Sequence, residues 1–470
     1  MASEDIFHYI DNTWSLLERS CGKEALCTAD PKMMSDKKPT IYISSAENPG
    51  IVDENVCVSV LPDNLDEIEH HGLLYVPNPY ITPGGRFNEM YGWDSYFIVL
   101  GLKASGRMEM ARNMVDNHLY EVRHYGRVLN SNRTYHLSRS QPPFLSRMVL
   151  EVYGSDAAKL KEAYPLLVKY YRFWNSLPRL VGSCQLSRYY DDGQGPAIEV
   201  LSSEIDHLGL NHFDRVEKLV LENAIEVSDR HYDHQSKTWK EPYYLDDKAM
   251  RESGFDVSCC FGPYGIETTH HIPVCLNSLL CLMEEDLAKI ADKIGIEHSW
   301  EKFAKARQKR INRLLWNDDK GLYFPYNYKK QAQHEYPFLT TFYPLWAKIA
   351  TKKQAAAVAA NLRLFERAGG LMAGSKTTGC QWDAPYGWAP FHWIVIEGLR
   401  NYGYHKEACR IAEKFSALIE KEYEKRGHIF EKYDVVKCTA DVHPEYGYES
   451  NEFGFGWTNA VYLLMKSIDK

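Results

Sequence analysis

No stretch of the 470 residues approaches the roughly 18 consecutive apolar residues that a membrane-spanning helix needs. The 11 cysteines contain no CxxC pair and no spacing typical of a zinc site, so no metal is expected. Charge of one sign is never massed: 55 basic residues face 63 acidic ones, for a net charge of -8 without any like-charged block. Such a balance offers little to a nucleic acid or an anionic membrane, and neither is expected as a partner. The first residues, MASEDIFHYIDNTW, are acidic and amphipathic, without the basic n-region and apolar h-region of an export signal. Together these absences lead to the expectation of a soluble cytoplasmic protein whose thiols are mostly free and buried. No Gly/Ser-rich linker, low-complexity stretch or exact repeat divides the chain, so one large domain with an N-terminal extension is the simplest organisation.

What the chain does have is an ordinary globular balance, 44% apolar and 25% charged, with aromatic residues at 13%. Flat rings in an acidic protein suit either a sugar-binding surface, where they stack on pyranose faces, or a large helical core. Composition alone favours the core. Helical periodicity dominates from about residue 94 onward, with apolar residues at i, i+3, i+4 and i+7. The stretches are Met108–His124, Ala157–Asn175, Ser203–Glu226, Pro273–Ile294, Trp300–Trp316, Lys353–Arg367, Phe391–Tyr402 and His405–Glu424, with shorter ones at Phe144–Val152 and Asn459–Ser467. Strand-like alternation is confined to Ile41–Ser44, Val56–Leu61 and Leu73–Val76. Long helices separated by loops predict stacked antiparallel helix pairs. In a toroid of such pairs the loops gather at one end, where segments distant in sequence can line one pocket.

The loops hold the unusual residues. In PGGRFNEMYGWDSYF, Pro83 to Phe97, Gly84 and Gly85 allow a tight turn, after which Arg86, Trp93 and Asp94 supply donors, a stacking ring and an acceptor. The plainer reading is a helix start, with Asp94 as N-cap and Trp93 in the core. Asn130, Arg139 and Gln141 cluster before the Pro-Pro stop of NSNRTYHLSRSQPP, either as a ligand surface or as a polar loop. QWDAPYGWAP pairs Trp382 and Trp388 with Asp383, which favours a fixed aromatic surface over a plain turn.

PGGRFNEMYGWDSYF and QWDAPYGWAP closely resemble the two signature motifs of the glycoside hydrolase family 37 trehalases. SRSQPPF (Ser138 to Phe144) and FGFGWTNAVYL (Phe453 to Leu463) are also similar to family segments, and all occur in family order. The resemblance implies an all-α (α/α)6 toroid over residues 75–470, with residues 1–74 as an extension containing minor β structure. It also implies an inverting glycosidase that hydrolyses α,α-trehalose to two glucoses, without metal or organic cofactor. Inversion needs two carboxyl groups on opposite faces of the sugar, one to protonate the leaving oxygen and one to activate water. By resemblance, ESGFD makes Asp256 the general acid and EKYDV makes Glu431 the base. The same carry-over marks Arg86, Phe87, Trp93, Asp94, Asn130, Arg139, Gln141, Glu199, Gly254, Trp382 and Glu445 as sugar-contacting positions.

Three departures from the family pattern stand out. A substrate arginine expected in a Pro-Arg-Pro-Glu segment is replaced in Pro196-Ala197-Ile198-Glu199, where only the glutamate is kept. The acid segment continues into Cys259-Cys260-Phe261 rather than Ser-Arg-Trp. Finally, Lys437–Glu452 replaces a glycine-rich stretch, with Glu445-Tyr446 at altered spacing and Glu449 as a rival for the same role. These departures keep open an inverting α-glucosidase with a different leaving group and, less favoured, a non-catalytic sugar binder. The thiols at 259 and 260, close to Asp256, are either an oxidant-sensitive element or inert buried groups.

Overall fold

The computed structural model describes residues 2–21, 30, 32–33, 38–47 and 56–468. Helix α1 (Ala2–Leu16) precedes a run of hairpins: α2 (Asp94–Ala104) with α3 (Met108–His124), and α4 (Leu145–Tyr153) with α5 (Ala157–Trp174). Three helices then stand apart from that rhythm, α6 (Ile198–Ser203), α7 (His212–Leu221) and α8 (Glu241–Glu252). Hairpins resume with α9 (Val274–Ile294) and α10 (Trp300–Leu314), α11 (Tyr343–Trp346) and α12 (Lys352–Ala360), and α13 (Ala389–Asn401) and α14 (His405–Arg426), before α15 (Gly456–Lys466).

Packing arranges these helices as two concentric rings. Helices α2, α4, α9, α11, α13 and α15 touch in succession, and α15 closes back onto α2. Outside them, α3, α5, α10 and α14 back the inner ring, α12 packs on the turn Asn361–Leu364 and the strand Leu322–Tyr323, and α1 packs on α14 and α15 in the remaining outer place. This is the expected (α/α)6 toroid. The inner helices are apolar almost all round: every residue from Asp94 to Leu102 of α2 is buried, as is Ala389 to Ile396 of α13. Outer helices carry a stripe instead; α3 buries Ala111, Met114, Val115, His118 and Val122 and exposes charge on its far face. Two of them have starts capped by side chains. Asp156 accepts from the backbone of Ala158 and Lys159 to begin α5, and Thr351 with Gln354 forms a capping box on α12.

The expected short strands form one parallel sheet, with Thr40–Ile43 between Cys57–Val60 and Leu73–Leu74. It docks on the loop after α3, where Leu74 N–H donates to Asn132 O at 2.7 Å and Thr134 N–H to Gly72 O at 3.0 Å. Among the described residues no helix is long and apolar enough to cross a membrane.

Two helical expectations need correction. Ser203–Glu226 is not one helix: the Asp206 carboxylate accepts from the Leu208 and Leu210 backbone in a turn, and Asn211 with Asp214 caps a fresh start at α7. Lys353–Arg367 shortens to α12 followed by a single tight turn at Asn361–Leu364. Helix α8 was not expected at all, because Asp246, Asp247, Lys248, Arg251 and Glu252 occupy its buried positions where apolar residues would have shown a period.

Candidate active site

The N-terminal ends of inner helices α2, α4, α13 and α15 converge on one cavity, about 750 Å³ of empty space when its open mouth is counted. The turn before α2 is built by close backbone approach. Gly85 has φ +55°, and a Cβ there would lie 1.9 Å from Glu452 Oε2, whose carboxylate accepts from Arg86 N–H at 3.1 Å. The guanidinium of Arg86 lies over the Tyr448 ring and donates to Ser203 O at 3.1 Å. Trp93 then turns inward and α2 begins at Asp94, so the N-cap position falls on Trp93 rather than Asp94. Trp93, 2% exposed, packs against Phe255, Trp382 and Trp457 with ring centres 5.7–5.9 Å away. Gly254, with φ +78°, makes room for it, since a Cβ would sit 2.9 Å from the indole. Trp382 stacks on Trp388 at 3.9 Å and an interplanar angle of 4°; both indoles are buried, and of the two Trp382 lines the cavity.

Polar groups on the opposite wall come from the loop between α3 and α4 and from α6. Gln141 Oε1 accepts from Trp93 N–H at 2.8 Å, and Asn130 Nδ2 points to the Ser140 and Arg251 carbonyls. Arg139 donates to Asp191 at 3.0 Å and to Glu199 at 2.7 Å. Burial opposes ionisation of Glu199, but Arg139, His136 and Arg251 together hold its carboxyl well below the usual range.

Asp256 and Glu431 face this same cavity from different segments. Asp256 follows α8 and keeps 30% of its side chain open to the cavity, while protein surrounds the carboxyl. Burial, with help from the like charge of Glu204, raises its pKa to about 7 against the pull of Arg251, whose Nη1 is 3.8 Å away. Glu431 lies just before the strand Lys432–Asp434, which pairs antiparallel with Tyr386–Trp388 and so joins the two loops. Burial also raises the pKa of Glu431, but the Lys432 ammonium at 3.2 Å and the Tyr448 hydroxyl both donate to it and favour its charged form. Asp94 is the third carboxyl here. Burial first, then the nearby charges of Glu431 and Asp256, push its pKa well up.

The structure thus brings Arg86, Phe87, Trp93, Asp94, Asn130, Arg139, Gln141, Glu199, Gly254, Asp256, Trp382 and Glu431 to one cavity. Glu445 is not among them. It is exposed and lines a separate open cleft, because Arg215 and the Gly379 carbonyl hold its backbone away. Glu449 is also exposed, 3.7 Å from His207. The acidic side chain of that insert which reaches the Gly85 turn is Glu452. Ala197 is buried in an apolar cluster with Val200, Phe213 and Tyr243 and is not part of the lining of this cavity. Arg251, which sequence reasoning passed over, lines the cavity instead, bonded to Glu204 at 2.7 Å and Asp247 at 3.0 Å and with Nη2 free of hydrogen-bond partners. Its signal in the sequence was position, five residues before Asp256. Lys432, Tyr448, Gln381 and Trp457 were missed as site residues as well, although each lies inside a segment already quoted.

A closed double ring of helices with ionisable groups gathered at the inner N-termini defines an (α/α)6-toroid protein with a polar, aromatic-lined pocket. The Trehalase family model matches residues 11–468, and the chain belongs to that family. The cytosolic neutral trehalase of Saccharomyces cerevisiae is 36% identical over 431 residues, covering 82% of this chain and 56% of its own. The cytosolic neutral trehalase of Kluyveromyces lactis is 36% identical over 476 residues, 91% of this chain and 61% of its own. The chain therefore spans little more than half the length of these curated relatives. Among solved structures, the neutral trehalase of Saccharomyces cerevisiae superposes with a TM-score of 0.81 at 30% identity, over 99% of this chain and 93% of that one. The GH63 mannosylglycerate hydrolase of Thermus thermophilus shares the fold, with a TM-score of 0.55 at 20% identity over 82% of this chain and 96% of its own.

Proposed function

We propose that this chain is an inverting glycoside hydrolase that cleaves α,α-trehalose into two glucose molecules. The observation that carries the proposal is the pair of carboxyl groups, Asp256 and Glu431, that line one cavity in different electrostatic surroundings. Asp256 is the general acid. With a pKa of about 7, a substantial share of the protein holds the proton at neutral pH. The proton passes to the glycosidic oxygen as the bond from that oxygen to the anomeric carbon breaks. Glu431 is the base: its carboxylate takes a proton from a water whose oxygen bonds to the anomeric carbon from the opposite face. Lys432 and Tyr448 favour the ionised state this step requires. One glucose leaves with its anomeric centre inverted to β and the other keeps its α configuration, and solvent restores both carboxyl groups.

The sugar contacts follow from the lining. Arg86, Arg139, Asn130, Gln141 and Glu199 read hydroxyls, with Arg251 supplying the donor that Ala197 does not. Asp94 adds a carboxyl whose protonated form burial favours. Trp93, Trp382 and Phe87 cover ring faces, and Gly254 lets a ring approach the backbone. Residues 75–470 carry the candidate catalytic groups, and α1 from the segment before them fills the remaining outer place of the ring. The yeast relatives are named cytosolic neutral trehalases, and we extend that compartment to this chain.

The test is glucose release from trehalose by purified protein, with nuclear magnetic resonance following the first-formed anomers. Equal α and β glucose is expected, and Asp256→Asn and Glu431→Gln each abolish release with unchanged thermal melting. Retained turnover in either variant refutes its assignment. Glucose released only from another α-glucoside refutes trehalose as the substrate.

A further inference from the structure

Behind the aromatic wall lies a cluster that the proposed hydrolysis does not use. Cys259 Sγ and Cys380 Sγ are 3.8 Å apart, and a carboxylate oxygen of Asp383 lies within 4.8 Å of both. Two sulfurs bound at about 2.3 Å to a tetrahedral ion stand about 3.8 Å from each other, whereas a disulfide holds them at about 2.05 Å. The spacing is that of two ligands along a tetrahedral edge. Asp383 accepts from Ser258 Oγ, Cys259 N–H and Thr378 Oγ1, and no cationic side chain is among these donors. Tyr336, 4% exposed, lies beside Asp383 and Cys259, with its buried hydroxyl turned to the Asp383 carboxylate. Access is open from one side. Cys259 is half-buried and lines a surface cleft with His334, Tyr336 and Thr378, whereas Cys380 and Asp383 are fully buried behind it.

We propose that Cys259, Cys380 and Asp383 form a site for one soft or borderline divalent cation of the zinc type, with water from the cleft as the fourth ligand. On binding, both S–H bonds break, each sulfur donates an electron pair to the metal, and two protons leave to solvent, so affinity rises with pH. The ion ties together two segments that also line the sugar cavity. Cys259 follows Asp256 by three residues, and Cys380 precedes Gln381 and Trp382, with Gln381 already donating to the Asp256 carbonyl. The existence of the site does not depend on the hydrolase reading; an effect of the ion on turnover does.

The reduced, chelator-treated protein is titrated with Cd²⁺, following the ultraviolet charge-transfer band of cadmium thiolates, and with Zn²⁺ by calorimetry. One ion per chain is expected, with Cd²⁺ displacing Zn²⁺ from the soft thiolates and the band growing with pH. Cys259→Ser weakens binding by about tenfold or more, and Cys57→Ser, which removes an exposed thiol elsewhere, leaves it unchanged. Cys380→Ser has the effect of Cys259→Ser; should that buried change prevent folding, the half-buried Cys259 variant decides alone. No band, a band that survives in Cys259→Ser, or disulfide formation under hydrogen peroxide in a reduced protein that takes up no metal would each overturn the site.

Discussion

Tyr448→Phe isolates the electrostatics of the proposed base. The substitution keeps the ring that packs on Phe87 and under the Arg86 and Lys432 cations, and deletes only the hydroxyl that donates to Glu431. A hydrogen bond to a charged group contributes about 1.5–3 kcal/mol. At 1.36 kcal/mol per pKa unit, its loss raises the Glu431 pKa by about 1–2 units, because the lost bond favoured the ionised form. Lys432 remains as the second donor at 3.2 Å, which keeps the shift in that range. The base must be ionised and the acid protonated, so the acidic limb of a bell-shaped profile of kcat/KM reports Glu431 and the alkaline limb reports Asp256. In Tyr448→Phe the acidic limb moves up by about 1–2 units toward an alkaline limb near the Asp256 value of about 7. The bell narrows and its maximum falls, while the alkaline limb stays in place. The assay is initial-rate glucose release from trehalose across pH, with thermal melting to confirm an intact fold. An acidic limb that stays put or moves down would refute the reasoning.

Arg251→Gln removes the nearest positive charge from Asp256, which was holding its pKa down, so the alkaline limb moves to higher pH and KM rises; an unmoved limb counts against Arg251 as the tuning cation. The same change leaves Glu204 and Asp247 buried without their partner, and a loss of about 3–5 kcal/mol in urea unfolding is expected. Gly254→Ala places a Cβ at φ +78° and 2.9 Å from Trp93, costing about 1–3 kcal/mol in stability and raising KM as the indole is displaced; wild-type values would show that the glycine is not required.

What the sequence made legible follows from how each group is positioned. Arg86, Trp93, Asp94, Trp382 and Trp388 lie in two contiguous segments whose local turns place them, so reading those segments was enough. Arg251 was hidden because α8 buries five ionisable residues among 241–252, and a helix held by ion pairs shows no apolar period. Lys432 was hidden for a different reason. Adjacent residues in a strand point to opposite faces, but Glu431 stands just outside the strand and the ammonium can fold back to it. The insert Lys437–Glu452 misled in register: its local sequence pointed to Glu445, while the fold brings Glu452 to the Gly85 turn through a contact more than 360 residues long in sequence. Ring closure by α1 against α14 and α15 is likewise non-local, and no property of residues 2–16 alone announces it.

The order in which the ring is laid down has a consequence during synthesis. Everything on the acid side of the cavity, from Arg86 through Arg139 and Glu199 to Asp256, leaves the ribosome before Glu431 or the helix α15 that closes against α2. At about 5–20 residues per second, the roughly 175 residues between the two carboxyls take about 10–35 s to arrive. For that interval the nascent chain holds an open arc, with the apolar face of α2 awaiting α15 and a set of ionisable groups still in contact with water. A half-made ring of this kind is the form on which a chaperone, a slow codon run or a neighbouring nascent chain would act.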